Sequence, residues 1–165
     1  QVEFAVDEGV DVQLLSVGLT DEQGEQIDAP VRDRPFAIRV RFAVRREVGA
    51  VDVRVALLTS RGVRVLEENW SDASGGTAPA GGLGTWDVSL VIPPLLAPND
   101  YGIAVTIASP YEEFVDEEVL RFRLWPRPDD RRELSDRNRI VQPGVVWRVE
   151  ARTPAADGEP ETPHA

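Results

Sequence analysis

The sequence predicts an all-β fold, two antiparallel sheets packed face to face, and three observations carry that prediction. Apolar residues recur at every second position in one segment after another, which is the period of a half-buried strand. No window of about 12 residues holds an apolar stripe at the 3.6-residue helical period without a Gly or Pro inside it. The alternating segments number about eight and are punctuated by Gly, Pro, Asn and Asp, the spacing of a sandwich or barrel. A chain of 165 residues is enough for one domain with a buried core.

Each element has its own signature. Val10 to Leu19 reads as a first strand, closed by the turn-rich Thr20-Asp21-Glu22-Gln23-Gly24. In Pro35 to Val44, the residues Phe36, Ile38, Val40, Phe42 and Val44 share one face, with Arg39 and Arg41 on the other. Val51, Val53, Val55 and Leu57 form a strand that turns at Ser60-Arg61-Gly62 into a partner strand holding Val63 and Val65. Residues 71–84 carry five glycines and read as a loop. Trp86, Val88, Leu90 and Ile92 follow, stopped by Pro93-Pro94; then come Tyr101 to Ser109 and Glu118 to Trp125. The charged stretch 126–139 reads as a connector or short helix, and Val145 to Val149 as a last, separated strand. The expected domain limits are a linker end at 1–9, the sandwich at 10–151 and a disordered tail at 152–165, where prolines abound and large apolar residues are absent.

Leu96-Ala97-Pro98-Asn99-Asp100-Tyr101 has the form Leu-x-Pro-x-x-Tyr. This is the pattern of a tyrosine corner, in which the phenol bonds back to the loop backbone, and it makes the sandwich immunoglobulin-like with this strand as strand F. Asn99 stands where Gly is usual and is expected to tolerate a left-handed backbone. In that order, Val51 to Leu57 is strand C and Glu118 to Trp125 strand G of the same sheet. The outward face of strand F is then Gly102, Ala104, Thr106 and Ala108, all small, with Arg54 on one side and Arg121, Arg123 and Trp125 on the other. Such a trough suits a sugar polymer: guanidinium forks meet hydroxyls or carboxylates, and an indole meets an apolar ring face. The candidate glycan-binding residues are therefore Arg54, Thr106, Arg121, Arg123 and Trp125. The same small residues also suit close packing by the strand Gly144 to Val149 or by a partner.

Other features exclude function classes. The chain has 18 basic residues, all Arg, against 29 acidic ones, net −11; nucleic acid would be repelled. Cysteine is absent and the single histidine, His164, lies in the tail, which leaves Cys-His and Ser-His catalysis and Cys-ligated zinc without residues. No cofactor or metal is expected, and no enzyme activity. The carboxylates at Asp21-Glu22, Glu112-Glu113 and Asp116-Glu117-Glu118 lack EF-hand spacing and read as solvated turns. The glycine-rich 75–84 holds no Gly-Lys-Ser/Thr, so it is no phosphate loop. Asn69-Trp70-Ser71 meets the short glycosylation sequon, with no secretion signal beside it. Trp86 and Trp147 are in phase with aliphatic neighbours and read as packing residues; Trp70 is open between packing and ligand contact. No apolar run nears the roughly 18 residues that span a bilayer, and Gln1 opens no leader.

In order, Pro35-Phe36-Ala37-Ile38-Arg39-Val40, the hairpin Val53 to Gly62, the strand Trp86 to Pro93 leading into Leu95-Leu96-Ala97-Pro98-Asn99-Asp100-Tyr101, and Gly144-Val145-Val146-Trp147 resemble the C-terminal domain of Wzt-type proteins. These are the ATP-binding subunits of ABC transporters that export lipid-linked O-antigen polysaccharide. The resemblance covers residues 10–149. It implies a non-catalytic carbohydrate-binding sandwich that works with a transporter membrane subunit at the cytoplasmic face of the inner membrane. It further implies a homodimer formed by exchange of C-terminal strands. The alternative is a structural or protein-binding immunoglobulin-like module. Pro98-Asn99 in place of Pro-Gly and the long loop 71–84 depart from the family pattern.

Overall fold

A computed structural model describes residues 1–73, 82–130 and 140–141. The elements in chain order are β1 (Val2–Glu3), β2 (Val12–Thr20), β3 (Gln26–Ile27), β4 (Phe36–Val44), β5 (Asp52–Thr59), β6 (Arg64–Asn69), the single helical turn α1 (Trp70–Ala73), β7 (Gly84–Ile92), β8 (Asn99–Ala108) and β9 (Glu113–Leu124). One sheet runs β1-β2-β4-β7 with β3 beside β2; the other runs β6-β5-β8-β9. All these pairings are antiparallel. The all-β immunoglobulin-like sandwich is thus the observed fold, and the strands read as C, F and G are neighbours in one sheet as β5, β8 and β9.

The alternation read from the sequence places the core. Ile38, Val40 and Phe42 of β4 and Leu57, Ile103, Val105 and Ile107 of the opposite sheet are essentially inaccessible. Each such side chain stabilises the fold by about 1.5–3 kcal/mol through removal from water. Phe122 packs edge-on against Phe36 and stacks on Tyr101, with centroids 5.6 and 5.8 Å apart. The Tyr101 hydroxyl donates to the Ala97 carbonyl at 2.7 Å, the tyrosine corner. Burial pushes its pKa up to about 12. Ile140 and Val141 return to this corner: Ala97 N–H donates to the Ile140 carbonyl at 3.0 Å, and Leu96 bridges Val141.

Several expectations need correction. Asn99 has no left-handed backbone, since among the described residues only glycines have positive φ; it opens β8 in an extended conformation. Asp116, Glu117 and Glu118 are not in a turn but inside β9, because the edge of β8 offers backbone partners as far as Glu113 and carboxylates on an edge strand remain in water. Only Ser109 to Glu112 forms the turn, closed by Ser109 N–H to the Glu112 carbonyl at 2.8 Å. The partner strand of the hairpin begins at Arg64, with Val63 half exposed before it. The expected loop at 71–84 opens with the turn α1 and already joins β7 at Gly84. Val2–Glu3, within the segment read as a linker end, pairs with Val17 and Ser16 as an edge strand.

Where β9 ends, the chain is fastened to the other sheet's side of the molecule. Trp125 bridges Val31 in parallel: its N–H donates to the Pro30 carbonyl at 2.9 Å and its carbonyl accepts from the Arg32 N–H at 3.0 Å. Arg32 then closes both guanidinium donors on the Asp130 carboxylate, which also accepts the Arg127 backbone N–H at 2.8 Å. Both side chains of this pair are largely buried. The Arg32 bonds hold the Asp130 carboxyl well below the usual carboxylate range, against the opposing pull of burial. The described part of the 126–139 connector is this latched turn. The separated strand Gly144 to Val149 with Trp147, the tail 152–165, and 74–81 of the glycine-rich loop lie outside the described residues.

Candidate functional site: the outer face of the four-stranded sheet

Residues in register across β6, β5, β8 and β9 form rows on the outer face. One row is Asn69, Arg54, Thr106 and Asp116; the next is Glu67, Ala56, Ala104 and Glu118; the third is Arg64, Leu58, Gly102 and Arg121. Asp100 and Arg123 close one end, and Asp52 with Ala108 the other. The centre is floored by Gly102, Ala104, Thr106 and Ala108, the four small residues that alternation predicts, joined by Ala56 of β5, and both margins are polar. Toward the Asp100 end the surface sinks into a depression of about 600 Å³ lined by Ser60, Gly62, Gly102, Glu118, Arg121 and Arg123, among others.

All five predicted residues are on this face or at its end. Arg54 and Thr106 are direct cross-strand neighbours, while Arg121, Arg123 and Trp125 follow one another along β9 and just past it. Trp125 is 47% exposed, with the Arg123 guanidinium 5.6 Å from its ring centroid, a cation–π contact that fixes the indole's orientation. Thr106 is 7% exposed and donates its hydroxyl to Asp116 Oδ1 at 2.9 Å; it acts on the face by holding Asp116.

The guanidinium groups are already engaged. Arg123 donates from Nε and Nη2 to the two Asp100 oxygens, both at 2.7 Å, and this bidentate fork lowers the Asp100 pKa and raises that of Arg123. Arg121 Nε donates to Glu118 Oε1 at 2.7 Å, which raises the guanidinium's pKa. Arg54 Nε donates to Asn69 Oδ1 at 3.1 Å, and the same amide gives Nδ2 to Asp72 at 3.0 Å. The Asn of the sequon is thus part of the wall. Arg64 pairs with Glu67.

Asp100 is in phase with the floor residues but falls outside the predicted set, whereas Asp116, Glu118, Glu67 and Asn69 are hidden from alternation for a definite reason. In strict alternation, Asp116 and Glu118 lie opposite to Arg121 and Arg123. A register shift between Ile103 and Ala104 pairs these residues with Leu120 and Glu118, leaving Val119 over, and this bulge brings both sets to one side. The matching shift between Leu57 and Leu58 leaves Val65 over and unites Arg64 with Glu67 and Asn69. Short polar runs inside strand patterns were the only available signal.

Elsewhere, Trp70 and Trp86 meet edge to face with centroids 6.4 Å apart, and Trp86 gives its indole N–H to the Gly82 carbonyl at 2.9 Å. Both therefore pack at the flank where β6 and β7 leave the two sheets open. Among the described residues, no group of three or more His, Cys, Asp or Glu is arranged to hold a metal ion. No helix among them is long and apolar enough to cross a membrane.

Comparison with solved structures addresses the fold directly. The crystal structure of the C-terminal domain of Wzt superposes with a TM-score of 0.59 at 13% identity, covering 70% of this chain and 73% of that one. The chain has the fold of the Wzt C-terminal domain. A β-D-mannosidase from Dictyoglomus thermophilum is matched with a TM-score of 0.44 at 18% identity, over 69% of this chain and 13% of the enzyme. A β-glucuronidase from Parabacteroides merdae is matched with a TM-score of 0.40 at 17% identity, over 69% and 14%. No protein-family model matches the sequence, and no curated protein does.

Proposed function

We propose that this chain is a non-catalytic carbohydrate-binding module that holds O-antigen or a similar cell-surface polysaccharide for export by an ABC transporter. The observation that carries the reading is the small-residue trough between two polar walls on the outer face of the four-stranded sheet, on a fold shared with the Wzt C-terminal domain. Arg54, Arg121 and Arg123 orient hydroxyls at the walls, Thr106 positions Asp116, and the exposed indole of Trp125 stacks on a sugar ring. In the full-length protein the module works beside an ATPase domain and a transporter membrane subunit, at the cytoplasmic face of the inner membrane. It acts as a homodimer through exchange of the strand Gly144 to Val149. A step that must release its cargo suits millimolar to micromolar affinity, about −4 to −8 kcal/mol.

The test is titration of the protein with polysaccharide from its own organism, following backbone amides by NMR. Saturable shifts on β8 and β9, weakened about tenfold by Trp125→Ala with an unchanged melting temperature, support the reading. An intact fold without shifts at millimolar repeat units rejects it in favour of a structural or protein-binding module.

A further inference from the structure

The charges along the trough separate the sugars it can accept, an inference that rests on the glycan-binding reading above. Every guanidinium on the outer face already has a protein acceptor: Asp100 for Arg123, Glu118 for Arg121 and Glu67 for Arg64, with the neutral amide of Asn69 for Arg54. A uronate or phosphate arriving there meets guanidinium groups whose charge is already offset by a neighbouring carboxylate at Arg64, Arg121 and Arg123, so the pairing reduces the gain for an anion.

The carboxylates are less fully matched. Among the described residues Asp116 has no ion-pair partner and accepts only the Thr106 hydroxyl, on Oδ1. Asp52, at the far end, is the exception, accepting the hydroxyl and backbone N–H of Ser71 at 2.6 and 3.0 Å and the Val53 N–H at 2.9 Å. The Glu118 carboxylate lies against the floor itself: a methyl group on Gly102 would stand 2.6 Å from its Oε1. The face thus offers acceptor lone pairs where a sugar would rest and carries more carboxylates than guanidiniums, on a chain of net charge −11. Hydroxyl and ammonium groups donate to such acceptors; anions are repelled by them.

We propose that the trough takes a neutral or amino-bearing glycan and discriminates against uronate- or phosphate-bearing ones, with Asp116 and Glu118 accepting hydrogen bonds from the sugar. The experiment titrates the full chain with mannan oligosaccharides, chitosan oligosaccharides and oligogalacturonate at low and high salt, again by amide NMR. The expected result is saturable shifts on β8 and β9 with mannan or chitosan oligosaccharides, and oligogalacturonate binding at least tenfold weaker at low salt. Screening should narrow that gap. Glu118→Gln should narrow it as well, weakening the favoured probe and strengthening the uronate. Oligogalacturonate binding this face as tightly as the uncharged probes overturns the inference while leaving the glycan reading intact. Silence with all three probes removes the glycan reading and this inference together.

Discussion

On the outer face of the five-stranded sheet, β4 and β7 pair without a register shift from Phe36 opposite Ile92 to Val44 opposite Gly84. Arg39 and Arg41 there share the carboxylate of Asp87, at 2.9 and 3.1 Å. Burial pushes the Asp87 carboxyl up, but the two guanidinium bonds outweigh it and hold the pKa below its ordinary value. On the outer face of the four-stranded sheet, by contrast, both walls are bulged, β6 at Val65 and β9 at Val119 and again at Phe114. The regular β4–β7 pair sets its arginines around one carboxylate, and the register shift of that sheet lies beyond it, in β2 at Leu15. The four-stranded sheet gathers acids, amides and arginines along two rims around a floor of small residues. A strand pair with unbroken alternation covers the core; the breaks in alternation along β6 and β9 bring acids and arginines to the same side of the four-stranded sheet.

The strongest way to break that contrast is to delete Val119. Removing the extra residue restores strict alternation and forces either Asp116 and Glu118 or Arg121 and Arg123 toward the interior. We expect a loss of about 3 kcal/mol or more in urea unfolding, since burial of unpartnered charged groups is so costly. A midpoint close to that of the parent would show that the wall does not depend on the bulge.

Next in size is the latch that joins the end of β9 to the opposite side of the sandwich. Asp130→Asn should cost about 2–3 kcal/mol at neutral pH by leaving the Arg32 fork half-partnered. Because the folded-state pKa of Asp130 is depressed, the stabilisation is fully present above the unfolded value near 4 and is lost as pH falls below it. Unfolding curves measured from neutral pH down to about pH 2 should therefore show a shallower acid-side loss in the variant than in the parent; parallel curves would exclude Asp130 as the source.

Tyr101→Phe probes the anchor of β8 beneath the trough. Loss of the bond to the Ala97 carbonyl should cost about 1 kcal/mol and leave glycan titrations unaltered, a combination checked by denaturation and NMR on one sample. The smallest effect belongs to the regular β4–β7 pair: Asp87→Ala should change stability by no more than about 1 kcal/mol, reduced further by salt, because the three side chains are exposed at the surface. A larger loss in thermal unfolding would mean that the flat face is held together as firmly as the rimmed one.

The legible parts of the molecule were those governed by local pattern. Leu96 to Tyr101 announced its corner because the motif's geometry is contained within six residues, and Phe36 to Val44 announced its two faces because no bulge interrupts it. The floor from Gly102 to Ala108 was legible for the same reason. The acceptors on the β9 wall were not, because the unpaired Val119 reverses the phase of Val115 to Glu118 before a second shift at Phe114, and nothing in Val119 itself marks it as an extra residue.

By itself the sequence determined the two-sheet class, the pairing of the strands read as C, F and G, the inward set of aliphatic residues and the small-residue floor. Each of these follows from side-chain alternation and a short turn motif. Only the tertiary structure decided that Asp116 and Glu118 face the same way as Arg121 and Arg123, that each arginine on the trough is already bonded, and that Arg32 and Asp130 meet across 98 positions of chain. Those outcomes depend on register and on backbone partners far apart in sequence, which periodicity within one strand does not encode.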